Sequence, residues 1–359
     1  VQNIGEYAFY ECSSLSSVTF SVGLKSIEDN AFGYCEALKK VVLPEGLEKL
    51  DGAFYGCYNL ENITFPSSLS EIDSERSAIY DTKWYENIAY GDPVYCGGIF
   101  LGFKYDYTVP VENIKINSTY TVRAGTKTVY MNKCCYVDKL TTLNLPDGLK
   151  SLTIKSPTNV NSNYKITKLT VPESVDYVDI EGMSDLKTLK LPTTAKLSAG
   201  CFNYCTEIEN LTIPKGNIRL EASLSHCVKL KSITLPSDTM EVVGTIGSKN
   251  LTSVNLSNVR ILTGGFNSCT GLTKVNLPDS LLSIEGAFSG CTNLTTVTGG
   301  KNVRYLDSGF SACPKLKSFG SIGENLSVLE HNSFKGTAWY NSQKDGVVYF
   351  KNFAYCSKP

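Results

Sequence analysis

The sequence predicts an α/β repeat solenoid, a stack of short coils whose strands form one parallel sheet. Three observations predict it. A Leu-x-x-apolar-x-apolar unit returns at near-constant spacing, a proline closes most copies, and a Phe-x-x-Cys signature precedes many of the strands. Internal periodicity comes before any other pattern, because one coil of such a protein has no core of its own.

The strand unit stands at Leu15/Val18/Phe20, Leu38/Val41/Leu43 and Leu60/Ile63/Phe65, and again at Leu140/Leu143/Leu145. It continues through Ile166/Leu169/Val171, Leu186/Leu189/Leu191, Ile208/Leu211/Ile213, Leu230/Ile233/Leu235, Leu251/Val254/Leu256 and Leu272/Val275/Leu277. Two weakened copies follow at Leu294/Val297/Gly299 and Leu316/Phe319/Ser321. From Leu169 to Phe319 the intervals are 20, 22, 22, 21, 21, 22 and 22 residues. Alternating apolar positions read as a half-buried strand. Pro44, Pro66, Pro146, Pro172, Pro192, Pro214, Pro236 and Pro278 then stop it, since proline cannot continue a ladder.

The second signature runs Ile4-Gly-Glu-Tyr-Ala-Phe9-Tyr-Glu-Cys12, then around Phe32/Cys35, Phe54/Cys57 and Phe288/Cys291. Phe and Cys three apart suit one inward-facing helical turn. Each coil is therefore expected to be a strand, a turn, one short helical or 3-10 segment, and a return.

The combined pattern Ile-x-x-x-Ala-Phe-x-x-Cys-x-x-Leu-x-x-Val-x-Leu-Pro resembles the BspA-type leucine-rich repeat of bacterial and some protozoan surface proteins. The likeness covers nearly the whole chain, most clearly at 4–69 and 197–334. It implies a right-handed leucine-rich-repeat solenoid with a parallel concave β-sheet and short helical or 3-10 segments on the convex side. It also implies adhesion and an extracellular or cell-surface location; no enzymatic activity is expected, since repeats and their insertion take up the whole chain.

Of the 359 residues, 42% are hydrophobic and 19% charged, with a formal net charge of −1. That balance suits a folded chain and gives no electrostatic basis for holding nucleic acid. No apolar run approaches the roughly 18 residues of a membrane span. Val1 with no basic-then-apolar leader reads as a segment whose targeting signal has been removed.

Eight of the 13 cysteines share one repeat position: Cys12, Cys35, Cys57, Cys205, Cys227, Cys269, Cys291 and Cys313. They are expected to form a ladder of buried, reduced thiols between coils. Side chains in register point the same way, which leaves Cβ atoms too far apart for a disulfide. Cys96, Cys134, Cys135, Cys201 and Cys356 lie off the ladder, with Cys134 at the Phe position of a degenerate coil. No histidine stands at zinc-ligand spacing from a cysteine pair, so no metal and no cofactor are expected.

Between Ile63 and Leu143 the repeat is interrupted. The organisation expected is N-terminal repeats at 1–80, an aromatic β-hairpin insertion at 81–117, main repeats at 118–336 and a partial second insertion at 337–359. The insertion carries Thr82-Lys-Trp84-Tyr85, and Gly97-Gly98 is expected to join strands around Val94–Cys96 and Ile99–Phe103. Thr337-Ala-Trp339-Tyr340 repeats its start. Nine aromatics lie in 80–107: Tyr80, Trp84, Tyr85, Tyr90, Tyr95, Phe100, Phe103, Tyr105 and Tyr107. They either seal the hairpin onto the solenoid or form a platform for a ligand, with Trp84, Tyr85, Tyr95 and Phe100 as candidates.

On the strands, the residues flanking the central inward position should face solvent. Apart from Val42 and Gly320, the two outward rows hold Thr, Asn and Ser with four lysines, Lys40, Lys168, Lys190 and Lys274, and no acidic or aromatic residue. These lysines are the candidate contacts of that face. The partner expected is a protein or glycan; the competing reading is a structural spacer that displays another domain. His226 and His331 are the only histidines, and no nucleophile, phosphate-loop or zinc-protease motif is present.

Overall fold

The computed structural model describes residues 1–72, 79–104, 109, 114–132, 139–156, 164–221, 224, 226–330 and 332–358. Cys134, Cys135, Tyr105, Tyr107 and His331 lie outside the described residues. The chain forms two compact units, Val1–Asn163 and Tyr164–Pro359.

In the first unit, strand Lys40–Val42 pairs in parallel with Asn62–Thr64, with Val41 opposite Ile63. Strand Thr119–Thr121 pairs in the same way with Thr142–Asn144. In the second unit the equivalent pairs are Lys168–Thr170 with Thr188–Lys190, Asn210–Thr212 with Ser232–Thr234, and Lys274–Leu277 with Thr296–Gly299. Their central residues Val41, Leu143, Leu169, Leu211 and Val275 are buried, whereas both neighbours of each are exposed. The alternation expected from the sequence is thus present, but these strands join two by two instead of in one continuous ladder.

The longer ladders form elsewhere. A second set of strands, two or three residues each, builds the parallel sheet Asn3–Ile4, Ser26–Ile27, Lys49–Leu50 and Glu71–Ile72 in the first unit. The second unit has a six-stranded counterpart: Arg219–Leu220, Glu241–Val243, Ile261–Thr263, Ser283–Glu285, Tyr305–Asp307 and Val328–Leu329. The inner strands of these ladders bury one main apolar residue each, such as Ile27, Leu50, Leu262, Ile284 or Leu306, while Ile4, Ile72 and Leu329 on the end strands are part-buried. A single inward residue leaves no alternation to detect in the sequence.

Between the two strand sets, Pro44-Glu-Gly46-Leu47 makes a tight turn in which the Leu47 amide donates to the Pro44 carbonyl (3.2 Å) and Gly46 has φ +97°. Gly46 at the third, left-handed position matches type II chemistry, while Pro44 at the first position ends the strand.

The Phe-x-x-Cys segment folds as successive tight turns. Amides alternate in direction: Gly33 donates within its coil to Asn30 and Cys35 to Phe32, whereas Phe32 donates to Ala53 and Tyr34 to Tyr55 of the next coil. This alternation places residues at positive φ four apart: Tyr7 and Glu11, Asn30 and Tyr34, Gly286 and Gly290, Ser308 and Ala312. A continuous helix would aim every amide along its own axis. Here half of them tie neighbouring coils together, and the non-glycine residues accept a left-handed conformation to do so.

The phenylalanines stack along the interior, with ring centroids 5.7 Å apart for Phe32–Phe54, 5.8 Å for Phe266–Phe288 and 5.6 Å for Phe288–Phe310. All five rings are fully buried. Each contributes about 1.5–3 kcal/mol by leaving water.

The insertion forms the expected hairpin. Strand Pro93–Cys96 runs antiparallel to Ile99–Phe103 with Cys96 opposite Ile99, so Gly97-Gly98 is the two-residue turn. Ile99–Phe103 then pairs in parallel with Thr128–Asn132, which pairs with Ser151–Lys155. The second hairpin strand is thereby a rung of the solenoid itself. Strands Gly346–Phe350 and Phe353–Lys358 make a second antiparallel hairpin. Its Phe350 and Tyr355 pack on Phe334, with centroids 4.3 and 5.4 Å away.

Candidate functional site

The two Thr-x-Trp-Tyr motifs build the same device. Thr82 caps the one-turn helix Lys83–Glu86: its Oγ1 accepts from the Tyr85 amide (3.3 Å) and donates to the Ile79 carbonyl (2.6 Å). Thr337 does the same for Ala338–Asn341, accepting from Tyr340 (3.0 Å) and donating to Phe334 (2.8 Å). Both threonines are fully buried. The Trp84 amide donates to Leu60 and the Trp339 amide to Leu316, so each helix docks on the leucine of a preceding strand unit.

The candidate aromatics divide by depth. Phe100 has no accessible surface; it stacks on Tyr120 at 5.3 Å and lies beneath Tyr95 at 4.9 Å. Tyr95 is half-buried, its hydroxyl 3.0 Å from that of Tyr120 and accepting the Arg123 amide at 3.0 Å. The Arg123 guanidinium covers its ring at 4.1 Å. Burial, reinforced by the Tyr95 hydroxyl, pushes the Tyr120 phenol up. Trp84 is half-buried against Phe65 (5.2 Å, edge to face).

Tyr85 belongs to a different cluster. It meets Tyr80 at 4.8 Å, and the Lys104 ammonium stands 5.3 Å from its ring and 4.7 Å from that of Tyr90. Lys104 is 6% exposed and donates to the carbonyls of Glu86 and Ile88, both at 2.7 Å. A buried ammonium thus fixes the chain that follows the helix. The rings most open to solvent here are Tyr80 (40% exposed) and Tyr90 (39%), which sequence reasoning did not single out. Their only sequence signal was membership of the aromatic-rich run.

Lys40, Lys168, Lys190 and Lys274 are all exposed on strand faces, flanked by Val42, Asn62, Thr170, Thr188, Asn276 and Thr296. Lys168 and Lys190 lie on paired strands, opposite Thr188 and Thr170. These strand faces can offer hydrogen bonds and isolated positive charges.

The ladder thiols are unsuited to chemistry. Cys35, Cys57, Cys205, Cys227, Cys269, Cys291 and Cys313 are buried and free, while Cys12 is exposed. Burial pushes Cys57, Cys227 and Cys269 up to about 12 and Cys313 to about 11. A thiol held protonated is a poor nucleophile. His226 and Cys227, neighbours in sequence, point apart: Cys227 donates inward to the Phe202 carbonyl, and His226 stacks outside on Tyr204 at 3.9 Å. Among the described residues no three His, Cys, Asp or Glu side chains are grouped to hold a metal ion. No helix among them is long and apolar enough to cross a membrane.

A comparison with curated proteins finds no match. Among solved structures, the chain is similar to a leucine-rich repeat protein from Bacteroides ovatus, at 16% identity over 94% of this chain and 80% of that one, with a TM-score of 0.32. It is also similar to a leucine-rich cell surface protein from Faecalibacterium prausnitzii, at 17% identity over 83% and 69%, with a TM-score of 0.24. The pneumococcal vaccine antigen PcpA matches at 18% identity over 73% and 72%, with a TM-score of 0.29. The BspA-type leucine-rich repeat region matches in six copies over residues 1–93, 127–245 and 245–356. With its coils, proline turns and buried Phe and Cys columns reproducing that pattern, the chain belongs to the BspA-type leucine-rich repeat family.

Proposed function

We propose that this chain is a non-enzymatic binding module, cell-surface or secreted, that contacts a host or matrix protein or a glycan. The observation that carries the reading is the division of labour within each strand. One residue is spent on the core, and its two neighbours are turned to solvent, in the five strand pairs as hydroxyl, amide or lysine side chains with the one exception of Val42. A repeat scaffold of this kind presents an extended surface whose chemistry is set coil by coil.

Two surfaces are favoured for contact. In the first unit it is the insertion, where Tyr95 above Phe100, Trp84 beside Phe65 and Tyr85 beside Tyr80 each stay part-exposed, with Lys40 on a strand face of the same unit. Rigid aromatic rings give large contact area at small entropic cost. In the second unit it is the strand face bearing Lys168, Lys190 and Lys274. Surface plasmon resonance against matrix proteins, together with a glycan array, tests the proposal. At least one ligand should bind the wild-type chain and bind Tyr85→Ala or a Lys168→Gln/Lys190→Gln pair more weakly. Binding to nothing on either panel would contradict it.

A further inference from the structure

We propose that the turn segments of the first three coils form a third docking surface, specific for an arginine- or lysine-rich segment of a protein partner. It rests on the reading of the chain as a binding module, but on residues separate from the insertion and the strand lysines. Tyr7, Tyr10, Tyr34, Tyr55 and Tyr58 gather there edge to face: Tyr7–Tyr10 at 5.3 Å, Tyr10–Tyr34 at 5.6 Å, Tyr34–Tyr55 at 5.5 Å and Tyr34–Tyr58 at 6.3 Å. Tyr7 is 52% exposed and Tyr58 49%, with the other three half-buried.

The rings are seated. A Cβ on Gly33 would stand 2.8 Å from the Tyr10 ring, and one on Gly56 would stand 2.7 Å from the Tyr34 ring. In each case glycine in the following coil makes room for the ring to lie flat on backbone. A surface held in this way loses little freedom on binding.

Charge identifies the partner. Residues 4–15, 27–38 and 50–60 carry six carboxylates, Glu6, Glu11, Glu28, Asp29, Glu36 and Asp51, and no lysine or arginine. Lys49, from the adjoining strand, neutralises Glu28 and Asp51 at 3.1 and 2.7 Å. Glu6, Glu11 and Glu36 are exposed and make no salt bridge with a described residue. Glu11 occupies the same repeat position as Tyr34, and Glu36 the same position as Tyr58, each one coil earlier. Adjacent rungs lie about 4.8 Å apart, so each acid stands beside a ring. Aromatic faces edged by carboxylates recognise guanidinium or ammonium groups, the ring by cation–π attraction and the acid by a charged hydrogen bond. In the second unit Phe266–Cys269, Phe288–Cys291 and Phe310–Cys313 carry Asn, Ser, Gly and Ala between the two signature residues, and Phe202–Cys205 carries a single tyrosine, Tyr204, stacked on His226.

The test is fluorescence anisotropy with a labelled peptide of alternating arginine and glycine, and its arginine-to-citrulline counterpart as the neutral control. The whole chain should bind the arginine peptide, and the citrulline peptide about tenfold more weakly or worse. Affinity should fall as salt rises. Tyr34→Ala/Tyr58→Ala should weaken binding about fivefold or more. Glu11→Gln/Glu36→Gln, two surface isosteres that keep the fold, should weaken it and flatten its salt dependence. Absent binding, equal binding of the citrulline peptide, or full affinity in the glutamine pair would overturn the proposal. So would an array glycan bound through Tyr58 with no affinity for the arginine peptide. Failure of the matrix and glycan panels with retained arginine-peptide binding would instead sink the wider function and leave this surface standing.

Discussion

The Sγ of Cys291 donates to the carbonyl oxygen of Phe266, 3.3 Å away in the preceding coil, and that oxygen also accepts the Cys269 amide. The same link joins Cys35 to Phe9, Cys57 to Phe32, Cys227 to Phe202 and Cys313 to Phe288 at 3.0–3.3 Å. The thiol therefore saturates a buried carbonyl while presenting little polarity of its own. Cys291→Ala should cost about 1–2 kcal/mol, from the lost donor and a small cavity. Cys291→Ser should cost at least as much, because its shorter bond draws the donor away from the oxygen. Urea unfolding of the two variants checks the order; a serine variant more stable than wild type would refute the role assigned to sulfur.

The same burial sets a pH dependence. The folded thiols of Cys57, Cys227 and Cys269 sit at about 12, above the unfolded value near 8.5. A group whose folded pKa is raised holds its full stabilisation below the unfolded value and loses it as pH climbs toward the folded one. The melting temperature should therefore fall steadily from about pH 8.5 upward. Replacing these three cysteines by alanine should make that decline shallower, as calorimetry from pH 7 to 10 would show. An unchanged slope would mean that the thiols are not responsible.

Native thiols should also be kinetically silent. Ellman's reagent at neutral pH is expected to modify Cys12 and Cys356, the described cysteines with accessible surface, while the buried ones respond only after denaturant is added.

The insertion turn is intolerant of side chains. Gly97 has φ +58°, and a Cβ there would run into the Pro66 carbonyl. Gly97→Ala should destabilise the chain by about 2 kcal/mol or more, since strain and a clash with backbone combine. Gly125→Ala, also at positive φ but with open space around it, should cost less. Thermal melting of the pair separates steric contact from backbone strain.

Much of this fold is legible in the sequence because stacking repeats its constraints. Phe32, Phe54 and Phe288 recur at one position since each ring must sit on the next, and Gly97-Gly98 stands between two apolar runs as a hairpin turn requires. The second strand set was not legible, because Ser26–Ile27 or Lys49–Leu50 is too short to show a period. The Phe–Cys spacing predicts a helical turn where the chain instead makes successive tight turns. Nothing local announces that Tyr34 or Ala312 takes positive φ, which follows from hydrogen bonds to a neighbouring coil. The surfaces were least legible. Phe100 looked like one more ring of a platform, yet its strand enters the ladder beside Thr128–Asn132 and carries it into the core. Nothing in the local sequence marks Tyr10 and Tyr34 as a surface, because the glycines that seat them, Gly33 and Gly56, belong to the following coils.

The central claim is that the outward side chains serve a partner and not the fold. The most direct measurement pairs affinity with stability on a single variant, Lys168→Gln/Lys190→Gln/Lys274→Gln, against whichever ligand the wild-type chain binds through its second unit. The account predicts an unchanged melting temperature with affinity reduced about tenfold, each exposed charge contributing a fraction of the loss. Full affinity in the variant, or a loss of affinity that merely follows a loss of folding, would contradict it.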